Sequence, residues 1–215
     1  MPGASTLPAV ERVFYRCRVS QLSLFSADAR PAGVRDLAGL LCGPGQIVRF
    51  GVGDQARLSI VLSDPSRVTA VAAACAATGI TVDPVTTESG TIALRTAFRC
   101  DLVGLARDWT RGAVKTVPTG WQLDGAALHL WALAAGRPDD RGGYLLMLDP
   151  HAPQTHDALV TAATRAGIPP ARAVHATALR ISGARRVRRL AELVGPVPDG
   201  VLREHWPRYW GRQIS

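Results

Sequence analysis

Lysine is nearly missing from this sequence: Lys115 is the only one among 25 lysine and arginine side chains. Together with 21 glycines and abundant alanine, this usage is typical of a GC-rich genome, which weakens arginine as a sign of phosphate or guanine recognition. The 4 cysteines lie far apart and form no C-x2-C pair, so the usual zinc-binding modules are excluded. We expect free thiols in a reducing cytoplasm.

Long apolar runs are also lacking. No stretch is long enough to span a bilayer, and residues 1–8 do not read as a signal peptide, so we expect a soluble protein of the cytoplasm or nucleoid with no membrane partner. The motifs G-x-x-x-x-G-K-[ST], G-x-S-x-G and H-E-x-x-H are absent, which argues against P-loop NTPases, α/β-hydrolases and zinc peptidases. The 5 histidines show no metal-ligand spacing, and we expect no cofactor.

Positive charge dominates what is present: the formal net charge is +8 and the sequence pI is about 10.3. An excess of this size favours a polyanionic partner, most often nucleic acid, although the alternative is a protein that is simply basic. The chain has 215 residues, of which 47% are hydrophobic, enough for one large domain or two small fused domains.

A weak internal repeat, offset by roughly 85–91 positions, divides the chain into two similar halves. Each half opens with an apolar run, at residues 37–45 and 128–136, and continues with strand-like and helix-like patterns. In the first half these patterns predict strands at 46–52, 56–62, 81–85 and 91–99. In the second half they predict strands at 144–148, 171–175 and 178–182.

This order predicts an α+β fold of two tandem αββαββα half-domains. The boundaries we infer are an N-terminal extension at 1–30, half-domains at 31–111 and 121–207, a linker containing proline and glycine at 112–120, and a tail at 208–215. Part of the extension is expected to be disordered, although residues 12–20 alternate with a strand period. Because one chain supplies both halves, we expect a monomer.

The run at 37–45, Leu-Ala-Gly-Leu-Leu-Cys-Gly-Pro-Gly, resembles the LAGLIDADG motif of the homing endonucleases, and the run at 128–136 resembles the looser second copy of single-chain members. The resemblance implies two motif helices packed side by side along a pseudo-twofold axis. Such packing needs small residues at the helix interface, here Ala38, Gly39, Ala132 and Ala135. The other interpretation is that both runs are core helices of an unrelated α/β fold.

The resemblance further implies a saddle-shaped antiparallel sheet in the major groove of double-stranded DNA, which accepts a β-ribbon. Strand alternation places Ile92, Leu94 and Phe98 in the core and other side chains on the DNA side. With looser candidates in the second half and in the basic segment 180–189, the predicted DNA-binding residues are Arg49, Arg57, Ser59, Thr91, Arg95, Arg99, Arg141, Arg172, His175, Arg180, Ser182, Arg185 and Arg186. The alternative for all of them is a solvated protein surface.

Cleavage in this family requires a carboxylate at the C-terminal end of each motif helix, where the pair holds a divalent metal ion. The corresponding residues here are Pro44 and Ala135, so we expect no metal site and no endonuclease activity. Displaced acids, with Asp36, Asp139 and Asp140 nearest to the motifs, would instead allow an active or nicking enzyme that uses Mg²⁺.

A LAGLIDADG scaffold without its acids is similar to the N-terminal domain of the WhiA-type sporulation regulators. The leading hypothesis is therefore a domesticated, catalytically inactive protein that binds specific double-stranded DNA and regulates transcription. An active or nicking endonuclease is the second hypothesis. A module that binds other transcription proteins is the third.

Overall fold

The structure is a computed structural model, and it describes residues 26–27, 30–51, 54–171 and 177–208. Predictions for residues 1–25, for Arg172 and His175, and for the tail beyond Arg208 fall outside the described residues. Helices and antiparallel sheets combine in an α+β fold, as the sequence predicts.

The first half begins with a 3-10 turn, Val34–Leu37, that runs directly into the short helix α1, Ala38–Cys42. A four-stranded antiparallel sheet has the order β1-β2-β4-β3 and consists of β1 (Gly45–Arg49), β2 (Ala56–Leu62), β3 (Asp83–Thr86) and β4 (Ile92–Arg95). Between β2 and β3 lie a 3-10 turn, Pro65–Arg67, and helix α2, Val68–Ala77. Asp64 caps this turn by accepting a 3.0 Å hydrogen bond from the Ser66 N–H.

Helix α3 (Val103–Trp109) is followed by a small hairpin of β5 (Thr110–Arg111) and β6 (Val114–Lys115), whose second strand lies in the segment predicted to be a linker. The second half contains α4 (Gly125–Ala135), β7 (Gly136–Asp139), β8 (Gly143–Met147), α5 (His156–Arg165), β9 (Ala178–Ile181) and α6 (Ala184–Val194). Its three strands pair in the order β7-β8-β9, and Ala171 forms a single bridge to Arg180 on the far side of β9.

Buried side chains of both halves form one hydrophobic cluster around α1 and α4, which contact each other directly. Leu40 and Leu41 of α1 and Leu128 and Trp131 of α4 are completely buried in it. Asp124 begins α4 by accepting a hydrogen bond from the Ala127 N–H, which places the start of this helix before the apolar run at 128–136. Within the described ranges, no helix is both long and apolar enough to cross a membrane.

Candidate nucleic-acid interface and motif-helix ends

Helices α1 and α4 touch at small residues. A Cβ placed on Gly39 would lie 1.9 Å from the carbonyl oxygen of Ala127, so only glycine fits this contact. Just beyond α1, a Cβ on Gly43 would lie 3.0 Å from the Cβ of Ala135, at the end of α4. Because the N-terminal ends touch each other and the C-terminal ends do the same, the two helices run in the same direction.

This contact corrects one detail of the predicted helix interface. Gly39 and Ala135 lie in it as predicted, and Ala38 and Ala132 are buried. The residue opposite Gly39 is Ala127. Alignment of the two apolar runs did not include Ala127, because it lies before the second run. A helix that starts one turn before its motif shifts the contact by that turn.

The first sheet turns polar side chains away from the core. In β2, Leu58 and Ile60 are buried while Arg57 and Ser59 are half-buried on the opposite, outer face. Ser59 pairs with Gln46 of β1 and with Arg95 of β4, so these three side chains form a row across the outer face. Thr91 has the same alternation as Arg95 and continues this face beyond β4.

The second sheet repeats this row. Leu145 of β8 pairs with Arg137 of β7 and with Arg180 of β9, while the neighbouring Leu179 and Ile181 are buried. Ser182 has the alternation of Arg180 but lies just beyond β9. Arg180 thus occupies the same place in the second register as Arg95 does in the first.

Arg137 is an exposed member of the row that sequence reasoning missed. Strand β7 was not predicted, because Pro138 and two aspartates suggest a loop. The one available signal was the offset between the two motifs, which aligns Arg137 with Gln46.

A bulge in the first sheet overturns two predictions. The Leu58 N–H donates to Oγ1 of Thr96 at 3.0 Å, and one extra residue then separates Thr96 from Arg99, which bridges Ala56. The extra residue reverses the alternation beyond β4. Phe98, predicted to be in the core, therefore lies on the outer face, where its ring centroid is 4.6 Å from the Arg57 guanidinium.

Arg99 leaves the outer face for the same reason. It lies opposite Ala56, on the core side of the sheet margin, and forms a 2.6 Å ion pair with Asp101. The prediction that it faces outward beside Arg95 is wrong. Arg49, predicted to bind DNA from the first strand, lies at the end of β1, where it is exposed and pairs with Ala56.

The remaining predicted arginines are exposed at the ends of elements. Arg141 lies in the turn between β7 and β8, and Arg185 and Arg186 lie in the first turn of α6. They are not in the sheet rows.

Carboxylates moderate the positive charge of the two rows. Asp139 accepts a hydrogen bond from Nε of Arg180, and this bond lowers the pKa of Asp139. Asp83 lies opposite Arg95 in the register of β3 and β4. The Nε of Arg95 is buried and has no hydrogen-bond partner within the described part of the chain, so its donor capacity is not used up.

A buried lysine occupies the C-terminal end of α1. The Nζ of Lys115 donates to the carbonyl oxygens of Gly43 and Gly45, each at 2.7 Å, and to Oδ2 of Asp149 at 3.0 Å. Lys115 is 5% exposed and Asp149 is 1% exposed. Burial lowers the pKa of Lys115, and the adjacent Asp149 carboxylate opposes that shift. Gln46 also donates to Asp149.

A buried arginine occupies the corresponding end of α4. Nη1 of Arg67 donates to the carbonyl oxygens of Ala132 at 3.0 Å and Leu133 at 2.9 Å, and Asp64 lies 3.3 Å from its Nε. The two carboxylates have matching places in the sequence, because Asp64 follows β2 and Asp149 follows β8. Each motif helix therefore ends against a cationic side chain that has its own counter-charge.

These ends do not provide the ligands of a divalent metal ion. The side chains of Pro44 and Ala135 carry no ligand atoms. The nearby carbonyl oxygens already accept hydrogen bonds: those of Gly43 and Gly45 from Lys115, and those of Ala132 and Leu133 from Arg67. The acids proposed as replacements lie elsewhere: Asp36 is buried before α1 in an ion pair with Arg30, and Asp139 is paired with Arg180. Across the described residues, no group of three or more His, Cys, Asp and Glu side chains could hold a metal.

Comparison with known proteins gives a fold and no family. No family model matches the chain, and no curated protein matches it. A solved structure described as the homing endonuclease I-WcaI bound to its DNA recognition sequence is similar, with a TM-score of 0.56 over 81% of this chain and 83% of that chain, at 11% identity. The fold resembles that of a homing endonuclease. At this identity the likeness extends to the fold alone.

Proposed function

We propose that this protein binds double-stranded DNA at specific sequences through the outer faces of its two sheets, and that it does not cleave the DNA. The observation that carries the proposal is the matched placement of Arg95 and Arg180, which pair across the ladder with the second strand of each half, β2 and β8 respectively. The similar homing endonuclease is described as bound to its DNA recognition sequence, which supports DNA as the partner.

In this proposal the halves are related by a pseudo-twofold axis between α1 and α4, and their sheets form a saddle over one duplex. The parallel contact of the two helices and the repeated register support this arrangement. Arg95, Arg137 and Arg180 would contact base edges in the major groove, since arginine forms two hydrogen bonds to guanine. Arg141, Arg185 and Arg186 would contact phosphates.

The absence of cleavage rests on the chemistry of the helix ends. Pro44 and Ala135 stand where the family resemblance implies a pair of metal-binding carboxylates. The nearby acids Asp64 and Asp149 are each paired with a buried cation, Arg67 and Lys115 respectively. A protein that binds a site in DNA without cutting it is suited to regulating transcription, as a monomer or with other transcription proteins, and we propose that role for it.

The experiment begins with selection of bound duplexes from a randomised library, followed by fluorescence anisotropy on the selected site. We expect affinity to fall steeply with salt, with a slope of about −0.9 for each phosphate neutralised. The double variant R95Q/R180Q should bind at least about tenfold more weakly, because each lost base contact costs about 1–3 kcal/mol. The matched control is R107Q/R165Q, which removes two exposed arginines from helices.

Two results would count against the proposal. If R95Q/R180Q remains folded and loses no more affinity than R107Q/R165Q, the outer faces are not the DNA-binding surface. If the wild-type protein nicks or cuts its selected site in Mg²⁺ or Mn²⁺, the protein is an endonuclease with acids placed differently from those described above.

A further inference from the structure

We propose that the Lys115 ammonium takes the place of a bound divalent cation, and that removing it creates a metal site at the end of α1. The metal that the family resemblance implies does not fit the native residues, and this disagreement is what the proposal explains. The proposal concerns stability without DNA and stands apart from the proposed function.

The surroundings of Nζ are those of a cation site. Three oxygen atoms, from Gly43, Gly45 and Asp149, lie 2.7–3.0 Å from Nζ, and two of them are backbone carbonyls held in place by the chain. The Gln46 amide donates to the same Asp149 oxygen, so rotation of that amide would present a fourth oxygen. Carboxylate, carbonyl and amide oxygens are the ligands of Ca²⁺ and Mn²⁺ in proteins.

The charge also balances only when a cation is present. Asp149 is almost fully buried, and although Gln46 and the His151 N–H also donate to it, removing the cation from a buried ion pair is strongly destabilising. The C-terminal end of a helix adds partial negative charge at the carbonyl groups. Loss of the ammonium therefore leaves a negatively charged space, lined by oxygen atoms, where the end of the Lys115 side chain had been. A metal ion and water can enter this space.

The test is thermal unfolding of wild type, K115A and K115A/D149N, each in EDTA and in millimolar CaCl2 or MnCl2. We expect K115A to melt well below wild type in EDTA and to gain about 5 °C or more with saturating metal. Wild type should not respond, because its ammonium holds the place. K115A/D149N should not respond either, because it lacks the carboxylate.

Three results would overturn the proposal. The first is a Tm of K115A in EDTA equal to that of wild type. The others are a metal-induced rise in Tm of K115A no larger than that of K115A/D149N, or a rise in wild type as large as that in K115A. If K115A is unfolded in EDTA, refolding from urea replaces melting. Recovery of native fluorescence only with CaCl2 or MnCl2 would then support the proposal. No recovery with either metal would overturn it.

Discussion

The contact between α1 and α4 allows a strong test with one methyl group. In Gly39→Ala the new Cβ would lie 1.9 Å from the Ala127 carbonyl oxygen, where ordinary contacts are 3.4–4 Å. The atom on the far side is backbone, so the two helices must separate by about 1.5 Å, and the cost should lie at the upper end of the range for overpacked cores, about 3 kcal/mol. For a chain of this size that corresponds to a fall in Tm of about 6–12 °C.

Gly104→Ala is the matched control, since Gly104 lies inside α3 and its Cβ would meet nothing within 4 Å. Alanine is about 1 kcal/mol better than glycine in an exposed helix, so this variant should be slightly more stable than wild type. Urea unfolding followed by tryptophan fluorescence measures both free energies. A Gly39→Ala value within about 0.5 kcal/mol of wild type would refute the close helix contact.

Two further predictions concern charge and accessibility. Asp139→Asn should raise DNA affinity about two- to fivefold, because it releases Arg180 from its ion pair. The pKa of Asp139 is lowered by that pairing, so in wild type the carboxylate stays charged throughout pH 5–8, and the gain in affinity should be the same across this range. Burial raises the pKa of Cys75 to about 12 and also raises that of Cys42, so iodoacetamide at pH 8 should label exposed Cys100 before either of them, as mass spectrometry would show.

The controls for these two predictions are simple. Asp140→Asn removes the same charge from an adjacent exposed position, and an equal gain in affinity would mean that net charge, not release of Arg180, is responsible. Labelling should be repeated in urea, where all thiols react. Native labelling of Cys42 at the rate of Cys100 would contradict the burial of α1.

Alternation succeeded wherever the strand was regular. It correctly placed Arg57, Ser59, Arg95 and Arg180 away from the core, because the side-chain period of a strand is a local property of the backbone. It failed for Phe98 because the Thr96 hydroxyl accepts a ladder hydrogen bond from a distant strand. Nothing in residues 91–99 alone shows that a bulge would form there.

The cations at the helix ends are another case that local patterns did not reveal. Lys115 lies in a segment whose glycines and proline predicted a linker, yet it reaches carbonyl groups of residues 43 and 45. Arg67 follows a helix-capping sequence and reaches α4. Both are charged residues that composition alone would place in solvent.

The local order of the chain determined the α+β class, both motif helices and the alternating faces of most strands, since these follow from side-chain periods and caps over a few residues. Only the tertiary structure decided which glycine meets which alanine, where β4 bulges, and that Asp64 and Asp149 are each paired with a buried cation. Those outcomes depend on groups many positions apart, whose energies exist only once the core has brought them together.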